Sequence, residues 1–374
     1  MHRKAVLPLV KKRIGILTYR GGKGFVEPGF LRLLVREGEK MGCEIFLFGP
    51  QDVYLNAKAI KGYTPDVTGW KSNWYAWPDI VIDRYRYYPV PKHTKYLTFR
   101  KQSWFRYANS RFANKFAVHQ VLEQEPELRK WLPQTLSYSR AALSIMLAHH
   151  RVIYLKPTNG TGGRSILRIE NKPTGYELHG RTKTKKKIVE KLYSFSALSQ
   201  RLEQWMRQEK SGNEQFFLQQ GLELGLVPGR TVDARLLAQK DGTGNWRLTG
   251  MAIRMGTRQS STSNLHSGGK AIPTGSFLTE HFGLDMARQI IRECREVALR
   301  TVARIEQHFG QMMEFGIDLG IDVHGNVWMI EMNPKPGREI FRQLGQKKQY
   351  LEAVRRPLEY ALYLLDAEQK WQFS

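Results

Sequence analysis

Side chains able to do chemistry gather most densely between Gly316 and Arg338, in GIDLGIDVHGNVWMIEMNPKPGR. Two short apolar runs flank His324-Gly325-Asn326, the pattern of a β-hairpin. Strict alternation along the second run predicts Val327, Met329, Glu331 and Asn333 on one face, with Ile330 and Met332 on the other. Asp318, on the first run, can come opposite the polar pair once the hairpin closes. Three oxygen donors converging from rigid strands suit a hard cation such as Mg²⁺, with phosphates and water completing its shell. An ordinary exposed strand face is the plain alternative. Asp318 on the partner strand and the Pro-Lys-Pro-Gly-Arg exit favour the metal site.

Further candidates lie upstream. Arg151 to Arg164 reads RVIYLKPTNGTGGR and precedes SILRIE, so a glycine-rich loop joins two strands. That excludes a Walker A loop, which must open a helix and end in Gly-Lys-Ser/Thr. A tip of Gly160, Thr161, Gly162 and Gly163 can still present backbone N–H groups to phosphate oxygens. Lys156, at the end of the first strand, can reach the same phosphates. Taken alone, this is more often an ordinary hairpin. FFLQQGL reads as a strand ending in Gln219 and Gln220. TVDARLLAQ places Asp233 and Arg235 on one strand face, and WRLTGMAIR, ending in Arg254, is its expected hairpin partner through DGTGN. No Cys/His or Ser/His/Asp arrangement offers a protein nucleophile.

The elements that must position these groups follow from pattern. RIGILTY, then a helix with Phe30, Leu33 and Leu34 at helical spacing, then a strand from Cys43 to Phe48 make a β-loop-α-β start compatible with a Rossmann-like module. The glycines at 21, 22 and 24 do not fit G-x-G-x-x-G and read as a plain turn. DIVID is a further strand. Residues 109–128 turn helical, with Lys115 near the start, and a boundary falls near residue 108. Residues 171–191, rich in Lys, read as a solvated strand end or loop. Helices are expected at 195–209, 284–309 and 349–366. At 374 residues the chain can hold two or three packed units. The expected division is a first domain over 1–108 and a second over 109–374, with a phosphate-loop part at about 148–222 and a metal/acceptor part at about 223–374.

Charge and composition bound the function class. Lys and Arg number 59 against 34 Asp and Glu, a formal +25. Such a surface attracts nucleic acid, acidic polymers, anionic membrane or phosphate-rich substrates without choosing among them. Basic and aromatic residues interleave over 84–111, as single-stranded nucleic acid prefers. An interdomain surface has the same composition, and no RNP-type, helix-turn-helix or zinc motif supports a nucleic-acid partner. No apolar run reaches transmembrane length, and no secretory leader is read. Two cysteines without metal spacing, Cys43 and Cys294, point to a reducing, intracellular home.

In order, KPTNGTGG, QQG, DAR, SNLHSGG and IEMNPKPG resemble the ATP-grasp superfamily from about Asn109 onward, and most fully its YheC/YheD-like, endospore coat-associated group. The resemblance implies an α/β (α+β) ATP-grasp fold preceded by a Rossmann-like N-terminal domain. It implies ATP and Mg²⁺ as cofactors and a carboxylate–amine ligase acting through an acyl phosphate on acidic substrates. Lys115 and Lys156 match the lysines that hold the nucleotide phosphates. Gly160 to Gly163 match the phosphate-covering loop, and Gln219, Gln220 and Leu222 the segment that reads adenine. Asp318, Glu331 and Asn333 match the Mg²⁺ ligands. Arg235 and Arg254 match positions facing the transferred phosphate, with Asn264 and Gly269 on the acceptor side. The sequence departs from the family in lacking the serine pair that several ligases carry in the phosphate loop, in Thr262 where glutamate ligases keep an arginine, and in the unplaced basic segment 181–191. It implies a place in the mother-cell cytoplasm or on the spore coat, with coat proteins as partners. The alternatives are a catalytically silent coat scaffold that binds acidic partners and, from charge alone, a nucleic-acid binder.

Overall fold

The computed structural model describes residues 11–22, 24–86, 93–110, 115–158, 164–184, 186–210, 214–257, 265 and 268–372. Three large sheets organise them. In the first, Glu44–Phe48 and Ile80–Asp83 both run parallel to Arg13–Leu17, which lies between them. Ile14, Ile16, Ile45, Leu47, Ile80 and Ile82 are buried, the unbroken apolar runs that a parallel sheet covered on both faces requires. The helix Pro28–Lys40 joins the first two of these strands. Its close approach rests on Gly38, where a Cβ would stand 2.0 Å from Ile45 Cδ1. The Rossmann-like expectation therefore holds for this sheet. It also carries an antiparallel extension of Ala59–Pro65 and Trp70–Ala76 that the Trp- and Pro-rich composition did not reveal.

The second sheet is antiparallel throughout, in the order Lys187–Leu192, Gly175–Arg181, Ile166–Lys172, Val152–Pro157, Phe216–Gln220, Thr135–Ser137. The helices Arg140–His149 and Phe195–Glu209 cover one face through Leu143, Met146, Leu198, Leu202 and Trp205. The lysine-rich segment read as a strand end or loop supplies the edge strand Lys187–Leu192 and its neighbour Gly175–Arg181 instead. In the edge strand Lys187, Val189 and Lys191 are exposed, and Ile188 and Leu192 half-buried, so its period of two carries no polar-apolar alternation. Lysine on an edge strand also discourages pairing with another chain.

The third sheet, also antiparallel, runs Lys270–Ile272, Trp246–Met255, Val232–Lys240, Glu314–Ile321, Val327–Asn333. The long helix Leu284–Phe309 lies on one face, where Ala234, Leu236, Ile317 and Leu319 meet Ile290, Val297 and Val302. Helix Lys115–Glu123 joins that core through Val118, Val121 and Leu122. It also stacks Phe116 on Phe217 of the second sheet at 5.4 Å, and so bridges the two.

The C-terminal helix Lys347–Gln372 returns to the first sheet. Val354, Leu358, Ala361 and Leu364 share one apolar cluster with Ile14, Leu31, Leu34 and Ile80. Part of the basic-aromatic stretch from residue 84 is interior. Arg84 is buried against Glu314 at 2.6 Å, and Arg100 against Asp83 at 2.9 Å. Tyr85 and Tyr96 stack at 4.2 Å. These side chains join the first sheet to the rest of the chain, while Lys95 and Lys101 of the same stretch are exposed. Both cysteines are buried and free.

Candidate functional site

The two central strands of the third sheet fix the acidic centre. Asp318 stands opposite Arg235 on one side and Glu331 on the other, and Gly316 stands opposite Asn333. The simple alternation expected for the last strand does not hold. Register shifts there, because Asp318 pairs with Glu331 while Leu319 pairs with Met329, leaving Ile330 as an extra residue. This is a β-bulge. It puts Val327, Met329 and Met332 together in the core and turns Glu331 and Asn333 to the opposite face, beside Asp318. The polar pair therefore does not share a face with Val327 and Met329. The bulge lets one strand serve a continuous apolar core and a polar site at once.

Asp318 is buried and gripped by two guanidinium groups. Arg235 donates through Nε to Oδ1 and through Nη2 to Oδ2 at 3.0 Å. Arg254 Nη2 lies 2.9 Å from Oδ2 and also holds Asp233 in a fork, at 2.7 Å from both Nε and Nη2. Burial alone would raise the Asp318 carboxyl, yet Arg235 and Arg254 hold it below the ordinary carboxylate range. Arg254 is raised in turn: burial opposes its charge, and Asp318 and Asp233 overcome that. The four groups cancel in charge, so the formal +25 belongs to the rest of the molecule. Gly316 is part of this floor. A Cβ there would meet Pro336 Cβ at 2.9 Å and Arg235 Nη1 at 3.0 Å.

Lys156 and Gln219 share a face of the second sheet, and Lys156 Nζ donates to Gln219 Oε1 at 2.5 Å. Gln219 passes this on through Nε2 to Thr135 Oγ1 at 3.1 Å. Gln220 points to the other face, where its Oε1 accepts from the backbone N–H of Gln134 at 3.1 Å. The two glutamines are thus separated by the sheet. Gln220 and Trp328 line one cavity of about 310 Å³ with His119 and His150, where the second and third sheets come together. Leu222 follows in the connecting segment, and Gly269 is buried at the start of the edge strand Lys270–Ile272. Lys115 opens its helix, though its side chain lies outside the described residues, as do Gly160, Thr161, Gly162, Gly163 and Asn264.

The donors present fit a hard cation. Asp318 and Glu331 face one another in register, and the Asn333 amide adds a third oxygen. An ionised carboxylate oxygen that accepts from a guanidinium retains further acceptor capacity. Among the described residues no cluster of three His, Cys, Asp or Glu side chains occurs, so a metal here would need phosphate oxygens or water to complete its shell. Sequence reasoning missed several residues of this neighbourhood. Ile330 packs with Leu224 over Gly320. Lys335 reaches into the first sheet, to Asp83 at 2.8 Å, and Arg338 and Arg84 share the buried Glu314. The Pro-Lys-Pro-Gly-Arg run marked the place but not the first-sheet partners of Lys335 and Pro336, which lie more than 200 residues away in the chain.

Comparison with solved structures shows that the fold is shared with known proteins. The D-cycloserine synthetase DcsG superposes with a TM-score of 0.57 at 13% identity, covering 92% of this chain and 99% of that one. The VanG D-Ala:D-Ser ligase of Enterococcus faecalis gives 0.54 at 10% identity, over 94% and 100%. Residues 104–364 match the family described as YheC/D like ATP-grasp, and the chain belongs to that family. Among curated relatives, the endospore coat-associated protein YheD of Bacillus subtilis (strain 168) is 29% identical over 345 residues, 90% of this chain and 74% of that protein. The endospore coat-associated protein YheC of the same organism is 23% identical over 348 residues, covering 90% and 92%. No helix among the described residues is long and apolar enough to cross a membrane.

Proposed function

We propose that this protein is an ATP- and Mg²⁺-dependent carboxylate–amine ligase. The carrying observation is the pairing in register of Asp318 with Glu331, beside Asn333, on the face that the Ile330 bulge turns away from the core. In this reading a substrate carboxylate attacks the γ-phosphorus of ATP, the bond to the ADP oxygen breaks, and an acyl phosphate forms. An amine then attacks the acyl carbon and phosphate leaves, giving an amide. Bound Mg²⁺ neutralises phosphate charge during the transfer. Asp318, Glu331 and Asn333 would hold it, and Lys156 and Lys115 would hold the nucleotide phosphates. Gly160 to Gly163 would cover those phosphates with backbone N–H groups. Gln219, Gln220 and Leu222 would line the adenine side, and Asn264 and Gly269 the acceptor side.

The observed ion pairs support a further role for the arginines. Arg235 and Arg254 direct their forks at Asp318 and Asp233, so their first role is to keep Asp318 ionised and fixed. A direct role on the transferred phosphoryl falls to the Nη1 groups. The names of the relatives extend the proposal to a spore-coat setting, with acidic substrates or coat partners matched to a surface of formal charge +25. The mother-cell cytoplasm is part of the same proposal.

Calorimetric titration of ATP with and without Mg²⁺, on the wild type and on Glu331→Ala, tests the reading. Binding that requires both the metal and Glu331 is expected, and ADP release with candidate carboxylates and amines would follow. Folded wild-type protein that binds no ATP would leave the catalytically silent scaffold as the better account.

A further inference from the structure

We infer that Lys335 is a positioning residue through which the first sheet sets the geometry of the Asn333 ligand; this rests on the Mg²⁺ site proposed above. All three protons of its ammonium are used inside the protein. Nζ donates to Asp83 Oδ1 at 2.8 Å, to the Tyr85 carbonyl at 2.7 Å and to Tyr96 Oη at 3.0 Å. Asp83 is itself saturated. Oδ1 also accepts from the Tyr85 N–H at 2.9 Å, while Oδ2 accepts from Tyr96 Oη at 2.7 Å and from Arg100 Nε at 2.9 Å. A buried ammonium with this many matched acceptors has one position available to it.

The other end of Lys335 touches the site. Its backbone N–H donates to Asn333 Oδ1 at 3.0 Å, the oxygen that would face the metal. Pro334 and Pro336 flank it, and each fixes its own φ, so the loop cannot absorb a displacement of Lys335 without passing it to Asn333. The next carbonyl is held too, because Pro336 O accepts from Arg84 Nη2 at 3.1 Å and from Arg338 Nη1 at 3.0 Å. Asp83 and Arg84, consecutive residues at the end of the strand Ile80–Asp83, thus grip consecutive stretches of the ligand loop. The first 108 residues carry no nucleotide-binding motif, and this contact gives them a direct purchase on the metal site.

Groups that orient a metal ligand typically change affinity by about 10- to 100-fold when removed. The experiment measures the Mg²⁺ concentration that half-saturates ATP binding, by calorimetry, together with the unfolding temperature. Lys335→Met and Asp83→Asn are expected to raise that concentration by about 10- to 100-fold. Tyr96→Phe keeps the stack on Tyr85, removes one acceptor of the ammonium, and should move it less in the same direction. Arg355→Gln is the control. It breaks a contact to Glu37 at 2.6 Å that also joins the C-terminal helix to the first unit, and it should lower the unfolding temperature without altering the Mg²⁺ requirement. Should Lys335→Met not fold, Asp83→Asn and Tyr96→Phe decide. A wild-type Mg²⁺ requirement in the folded variants overturns the inference alone. A wild type that binds no MgATP overturns it together with the ligase reading.

Discussion

At the scale of the residue, the site is a balanced set of buried charges, and each member can be understood by what its loss would strand. Arg254 serves two carboxylates at once. Removing one partner of a buried pair costs about 3–5 kcal/mol, and losing a donor aimed at developing charge slows a reaction about 10²–10³-fold. Arg254→Ala should therefore lose stability as well as turnover, read by urea unfolding and by ADP release. An unaltered midpoint would show that the carboxylates find other partners. Gly316→Ala tests the floor beneath Arg235. The added methyl would have to displace Pro336 or the guanidinium. The expected outcome is weakened Mg²⁺-dependent ATP binding, with a loss of about 1–3 kcal/mol for overpacking.

At the scale of the element, the bulge at Ile330 and the short helix Glu339–Gln343 place the ligand loop between them. Phe341 of that helix is fully buried with Leu237 and Ala252 on the site face of the third sheet. A Cβ on Gly250 would come within 2.4 Å of its ring, so the helix sits on the sheet without a gap. Phe341→Ala should cost about 3–5 kcal/mol in chemical denaturation. It should also raise hydrogen exchange across residues 334–345, because the loop loses its far anchor while Lys335 keeps the near one. Exchange unchanged in that window would mean that the first-sheet contacts alone hold the loop.

At the scale of the whole molecule, the first unit and the C-terminal helix complete one another. The proposed boundary near residue 108 separates elements that share a core, since Val354, Leu358 and Leu364 pack with Ile14, Leu34 and Ile80. A fragment of residues 109–374 would expose that face, and it should aggregate where the full chain remains monodisperse in light scattering. Acid should act at the same junction. Burial would raise Asp83, but Lys335 and Arg100 outweigh it and leave it low. Glu37 is lowered by Lys40 and Arg355 against the opposing effect of burial. A depressed carboxyl contributes its full stability above its unfolded value, about 3.9–4.3, and loses it as pH falls through the folded value. The unfolding temperature should thus change little from these groups between pH 8 and 5 and fall below pH 4. A decline beginning near pH 6 would implicate histidines instead.

The amino-acid sequence was enough for everything carried by local pattern. Apolar runs announced the parallel strands of the first sheet, and helical spacing marked Leu284–Phe309. That residues 231–239 and 246–254 form a hairpin followed from the glycine-rich turn between them, whereas the register shift at Leu237/Ala238 that sets Asp233 opposite Arg254 did not. Asp318, Glu331 and Asn333 could be grouped from the sequence because a tight turn must bring the two strands side by side, whatever their exact register. Tertiary structure decided what local pattern leaves free. An extra residue in a strand has no signature until its partner is known, so the face of Glu331 could not be read by counting in twos. Lysines at two outward positions, with Val189 between them, concealed the edge strand Lys187–Leu192. The partners of Arg84, Asp83 and Lys335 were invisible because charge pairs chosen across more than 200 residues obey no spacing rule, only the geometry of the packed chain.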